Sequence, residues 1–251
     1  MKYRTLFISD MHIGTKVFQS KAFLDFIKNN EFDKLYLVGD IIDMAAIRRN
    51  FYWDESFNTV LQKILRLARK GTKIVYIIGN HDIYLLSFIR EHFGNIALRE
   101  RDMHTTFSGS KCIVMHGHQF DGIIKEIGWL YWLGDTMYDI ALTLNRLFNL
   151  FRNVFGLSQW SLSLYLKTKV KNAIKFINNY EQLVAHEMKR SHPEAKTVIA
   201  GHIHMCADRD ISGIRYLNCG CWTEFCSCVA EHLDGRLEVL KISGYSGKSV
   251  E

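Results

Sequence analysis

Five short apolar runs in this chain each stop at aspartate, asparagine or histidine. Asp10 and His12 follow residues 3–9 in SDMHIG, and Asp40 follows residues 34–39 in GD. Asn80, His81 and Asp82 follow residues 72–79 in GNHD. His116 closes residues 111–117 in MHGH, with His118 two positions on, and His202 and His204 follow residues 196–201 in GHIH. Carboxylates, imidazoles and one amide, with no cysteine among them, form a mixed oxygen and nitrogen donor set. Such a set suits Mn2+, Fe or Zn2+ better than Mg2+ or Ca2+, which prefer oxygen alone. Asp10, His12, Asp40, Asn80, His116, His202 and His204 are too many donors for one tetrahedral ion. They suit two ions about 3.5–4 Å apart that share a carboxylate, and Asp40 is the expected bridge. One GD or HxH is ordinary turn chemistry. Five at once would need five unrelated reasons to bury polar groups, each costing about 1–3 kcal/mol if unsatisfied.

The elements that would bring these residues together are legible in the same runs. Residues 3–9, 34–39 and 72–79 are rich in β-branched and aromatic side chains and read as buried strands. Between them, residues 21–30 and 57–70 carry helical patterns. In the second, Val60, Ile64, Leu67 and Ala68 share one face, and Gly71 is a stop signal. Strand and helix in alternation predict βαβ units and a layered sheet. Ligands in such sheets bind beyond the carboxyl ends of the strands, where the polar residues sit. Further strands are expected at 111–117, 196–201, 214–218, 227–232 and 237–243. Extended backbone would point His202 and His204 to the same side. From 121 to 192 the chain turns helical, aromatic and basic, a stretch far longer than an ordinary connection. Residues 1–120 with 193–251 are thus expected to form an α/β core, and 121–192 a helical insertion.

The composition excludes little else. The chain has 251 residues, 48% hydrophobic and 23% charged, as in an ordinary globular protein. The net charge of +6 fits an anionic ligand or membrane surface and is too weak to imply nucleic acid. The opening MKYRTLFISDMHIG has no apolar signal core, and no run is apolar enough to span a bilayer. A cytoplasmic protein with reduced thiols is expected. Cys219, Cys221, Cys226 and Cys228 form a CxC…CxC pair that could hold zinc, but their strand–turn–strand setting favours thiols packed as small apolar groups.

In order and approximate spacing, DMH…GD…GNHD…HGH…GHIH resembles the metallophosphoesterase (calcineurin-like) family. The resemblance implies two mixed β-sheets in a sandwich flanked by helices. It implies one ion on Asp10, His12, Asp40 and His204, and a second on Asp40, Asn80, His116 and His202. His81 would serve the leaving oxygen, with Asp82 orienting it, and His118 could touch phosphate.

The stretches FDGIIKEIGWLYWLGDTMYDIALTLNRLFNLFR, WSLSLYLKTKVKNAIKFI and YLNCGCWTEFCSCVAEH are similar to the UDP-2,3-diacylglucosamine diphosphatase group, in its divergent second branch. That likeness implies hydrolysis of the pyrophosphate to UMP and 2,3-diacylglucosamine 1-phosphate, a step of lipid A biosynthesis. It also implies two Mn2+ ions and a peripheral place on the cytoplasmic face of the inner membrane. Asn145, Arg146, Arg152, Trp160, Lys167 and Lys171 would then contact substrate from the insertion acting as a lid. Many relatives carry an acid where this chain has Cys221. The alternatives are a soluble phosphodiesterase or phosphatase and a non-catalytic scaffold.

Overall fold

The computed structural model describes residues 1–121 and 162–246, with the backbone alone for 162–176 and 243–246. The chain divides into two compact units, Met1–His118 with Val184–Glu251, and Gln119–Leu183. The first unit holds two sheets. The larger has the order β12-β11-β1-β2-β3-β5-β4 and the smaller β6-β7-β8-β10-β9. Here β1 is Lys2–Ile8, β2 Glu31–Val38, β3 Lys73–Ile77, β4 His92–Phe93, β5 Ile96–Arg99, β6 Arg101–Thr105 and β7 Lys111–Met115. Strand β8 is Thr197–Ala200, β9 Ala207–Ile211, β10 Ile214–Asn218, β11 Phe225–Glu231 and β12 Leu237–Ser246.

The central strands are apolar on both faces because both faces are covered. Leu6, Ile8, Leu35, Leu37, Ile74 and Tyr76 join one core with Phe23 of helix α1 (Ser20–Asn29) and Val60 and Ile64 of α3 (Glu55–Arg69). The intervening Phe7, Tyr36, Val38, Val75 and Ile77 face the other way. They pack with Cys112, Val114, Ile199 and Leu217 of the smaller sheet. Burial at period 2 on two sides thus produces an unbroken apolar run. Asp54 caps α3 through Ser56 N–H at 2.9 Å, and Gly71 ends it with φ +99°. The short α2 (Met44–Arg49) is capped by Asp43.

Strands β1, β2 and β3 run parallel, as do β7 and β8. Their carboxyl ends therefore carry Asp10 and His12, Asp40, Asn80, His116, and His202 with His204. Helix α4 spans Leu162–Ser191. In the second unit, Tyr180 meets Phe120 edge-on, with ring centroids 6.3 Å apart. No helix among the described residues is long and apolar enough to cross a membrane.

Cys226 and Cys228 belong to the helix-covered core and Cys219 to the core between the sheets, so these three thiols pack in different layers, and none of the four cysteines joins a group of gathered donor atoms among the described residues. All are free.

Candidate metal centre

The ligand-bearing turns are tightly bent. Among the described residues, seven non-glycine residues have positive φ, and Asp10, His12, Asp40, His202 and His204 are five of them. Such backbone costs about 1–3 kcal/mol per residue, at the low end for Asp and His. Summed over five positions, the cost approaches the whole stability of a typical domain, about 5–15 kcal/mol. The fold retains it where function needs those turns. His202 and His204 therefore converge through two left-handed residues, φ +73° and +56°, and not through strand alternation. An extended segment was the wrong expectation here, because β8 ends at Ala200 before either histidine. Glycines give the turns their room. A Cβ on Gly39 (φ +78°) would sit 2.4 Å from the His116 ring, and one on Gly79 would sit 2.2 Å from Asp40 Oδ1.

Three groups of donor atoms form among the described residues; one is His12, Asp43 and His81, and the other two face each other across Asp40. Asp10, His12 and His204 each place a ligand atom within 4.8 Å of the others, as do Asp40, His116 and His202. His204 Nε2 lies 3.3 Å from Asp10 Oδ1 and 3.2 Å from His12 Nε2. Asp40 Oδ2 lies between the groups, 3.3 Å from His116 Nε2 and 3.8 Å from His12 Nε2. Asn80 Oδ1 is 3.2 Å from His116 Nε2.

The far side of each ring is held by other groups. His116 Nδ1 donates to Val38 O at 2.9 Å, and His12 Nδ1 to Asp43 Oδ2 at 2.9 Å. Each tautomer then leaves Nε2 as a lone pair aimed inward. Asp10 Oδ1 is buried without a well-aligned hydrogen-bond donor. Lone pairs of one carboxylate and two imidazoles converging in a buried site fit a divalent cation. The donor set, two carboxylates, four imidazoles and an amide, is that of a mixed oxygen and nitrogen site for two ions.

The electrostatics follow from this crowding. Burial works to raise Asp40, but His116 and the His81 N–H hold its carboxyl well below the usual range. Burial works to lower His116, and Asp40 outweighs it, bringing the ring up to about 9. His204 rises to about 10 against its own burial, through Asp10 and Cys221. These basic, proton-hungry sites are what a cation would occupy.

His81 is held differently from expectation. Its Nδ1 lies 2.9 Å from Asp43 Oδ1, close enough for an ion pair though not aligned as a hydrogen bond, and this contact raises the imidazole above its ordinary value in spite of burial. Asp82 is not its partner. The Asp82 carboxylate accepts from Ile41 N–H at 3.0 Å, from Tyr76 Oη at 2.7 Å and from Gly79 N–H, and is fully buried. It folds the GNHD turn, while His81 Nδ1 lies against Asp43. Asp43 was missed in the sequence. One carboxylate holds His12, holds His81 and caps α2 through Ala46 N–H at 2.7 Å.

His118 lies beside this centre, its ring 5.5 Å from that of His116. Lys167 and Lys171 fall in the part of α4 described by its backbone. Asn145, Arg146, Arg152 and Trp160 lie outside the described residues.

Known proteins place the chain in a family. Residues 3–206 match the model of the calcineurin-like phosphoesterase family. The chain is 24% identical to UDP-2,3-diacylglucosamine hydrolase of Porphyromonas gingivalis, over 83% of its own length and 86% of that protein. It is 28% identical to DNA polymerase II small subunit of Methanothermobacter thermautotrophicus over 52% of its length, and spans about a third of that relative, 33%. A hypothetical protein from Pyrococcus horikoshii shares the fold, with TM-score 0.50 at 10% identity, covering 96% of this chain and 88% of that one. The chain belongs to the calcineurin-like phosphoesterase family.

Proposed function

We propose that this chain hydrolyses the pyrophosphate of UDP-2,3-diacylglucosamine, giving UMP and 2,3-diacylglucosamine 1-phosphate. The observation that carries the phosphoester chemistry is the shared Asp40 oxygen between two groups of cation donors, with His81 beside it. The lipid-nucleotide substrate is supported by the likeness to the Porphyromonas gingivalis hydrolase along most of both chains. Two bound divalent cations, Mn2+ in this reading, supply Lewis acidity that neutralises phosphoryl oxygens and acidifies water. Asp10, His12, Asp40 and His204 would hold one, and Asp40, Asn80, His116 and His202 the other. His81, protonated through its contact with Asp43, gives its proton to the departing oxygen. Asp43 holds that ring in register, and His118 meets a phosphate oxygen. A net charge of +6 supports docking on an anionic membrane surface, where such a substrate resides.

The test is hydrolysis of UDP-2,3-diacylglucosamine and of a generic aryl phosphodiester, each with Mn2+. Turnover of the lipid substrate is expected. Activity on the aryl diester alone would favour a soluble phosphodiesterase and sink the lipid assignment.

A further inference from the structure

His202 sits at the middle of an uncommon turn. Ile203 N–H donates to Gly201 O at 2.9 Å, closing a three-residue loop around His202, whose φ is +73°. This is the positive-φ form of the γ-turn, which is rare and strained. Such backbone persists only where its surroundings hold it. Two contacts come from the ligands themselves: His202 N–H donates to Asp10 Oδ2 at 2.9 Å, and Gly201 N–H donates to His116 O at 3.1 Å. A third comes from a side chain outside every donor group. Asn218 ends β10 in register with Ala200 at the end of β8. Its Nδ2 donates at 2.7 Å to Gly201 O, the carbonyl that closes the turn. The amide is fully buried and can face only one way. Gly220 N–H donates to its Oδ1 at 2.9 Å, so Nδ2 turns to Gly201 O and to Tyr216 Oη at 2.8 Å. Gly220 O in turn accepts from Ser9 Oγ at 3.0 Å, one residue before Asp10.

We infer that Asn218 is a positioning residue for His202: its amide holds the Gly201 carbonyl, keeps the γ-turn closed and so aims the imidazole at the ion shared with Asp40, Asn80 and His116. Without the amide the turn relaxes toward negative φ. His202 is the residue whose φ must change, so its ring leaves the ion first. Asp40, Asn80 and His116 follow other strands and stay in place. The ion held by Asp10, His12, Asp40 and His204 keeps three ligands that lie outside this turn.

The inference rests on the metal-centre reading, and the experiment separates the two. Mn2+ is titrated into the metal-free full chain and followed by electron paramagnetic resonance, with unfolding temperature as a check on folding. The wild type is expected to take two coupled ions. If it does not, the metal-centre reading fails and this one with it. Losing a group that orients a metal ligand typically weakens the metal about 10–100-fold. Asn218→Ala should weaken one ion by that factor and the other much less. Asn218→Leu, branched at the same carbon and without polar atoms, should do the same and serves if the alanine variant does not fold. Tyr216→Phe removes the amide's other acceptor and leaves Gly201 O held, so both ions should bind as in the wild type. In a His202→Ala background, Asn218→Ala should cost neither ion anything further, because the ligand it positions is already gone. Wild-type affinity for both ions in Asn218→Ala or Asn218→Leu would overturn the inference. So would an equal loss of both ions, or an undiminished further loss in the His202→Ala background, since general loosening of the fold would then explain the effect.

Discussion

Replacing Asp43 by alanine should damage proton donation more than it damages the fold. Asp43 meets His81 Nδ1 and His12 Nδ1 at 2.9 Å each and caps α2 through Ala46 N–H at 2.7 Å. Loss of the cap costs about 1 kcal/mol, which a stable domain tolerates. Loss of the His12 contact weakens metal about 10–100-fold, which excess Mn2+ offsets. What excess metal cannot restore is His81. Its raised pKa comes first from Asp43. Activity carried by protonated His81 is present below that pKa and lost as pH rises through it. Without Asp43 the alkaline limb should move to lower pH. General acid catalysis contributes roughly 100- to 10,000-fold, so kcat at saturating Mn2+ should fall by about that much for a poor, alkoxide-like leaving group. A p-nitrophenolate leaving group needs little proton assistance and should lose far less. The assay is a pair of pH–rate profiles, one per leaving group, on wild type and Asp43→Ala. Equal losses on both substrates with an unmoved alkaline limb would refute the reasoning. Asp43→Asn tests the other half. With its amide oxygen kept on Ala46 and His81, its NH2 faces the His12 N–H. Two opposed donors force His12 to the tautomer with a proton on Nε2, so Mn2+ affinity should fall.

Asp82→Ala strands three buried donors, Ile41 N–H, Gly79 N–H and Tyr76 Oη. At about 1–3 kcal/mol each, urea denaturation should show a loss of several kcal/mol, and a loss under about 1 kcal/mol would contradict the role. Gly79→Ala should lower Mn2+ content at both positions, because the new Cβ strikes the shared Asp40 at 2.2 Å; two ions at wild-type affinity would argue against Asp40 as the bridge. His202→Ala should empty mainly the position held with Asp40 and His116, leaving one Mn2+ per chain by elemental analysis.

The central strands were legible because burial on both faces leaves a short apolar run, and its length, β-branched and aromatic content and flanking glycines set it apart from a buried helix. Strands β6 and β9 were not, because RDMHT and ADRDI lie at the sheet edge and expose polar faces. The candidate donors could be read from residue type and position at strand ends, and most of them gather into the groups the structure shows. The backbone that makes it converge could not, since a left-handed histidine carries no mark in the sequence. Asp43 did leave a signal. It precedes MAAIRR as an aspartate before a short helix, an ordinary N-cap. Capping needs one carboxylate oxygen, and nothing local shows where the second points. Asp82 misled for the opposite reason: adjacency to His81 suggested contact, while the turn directs its oxygens to backbone N–H groups and Tyr76.

The most direct measurement is an anomalous difference map from crystals grown with Mn2+. The account predicts two peaks about 3.5–4 Å apart, one among Asp10, His12 and His204, the other among Asn80, His116 and His202, with Asp40 between them. A single peak, or peaks away from Asp40, would contradict it.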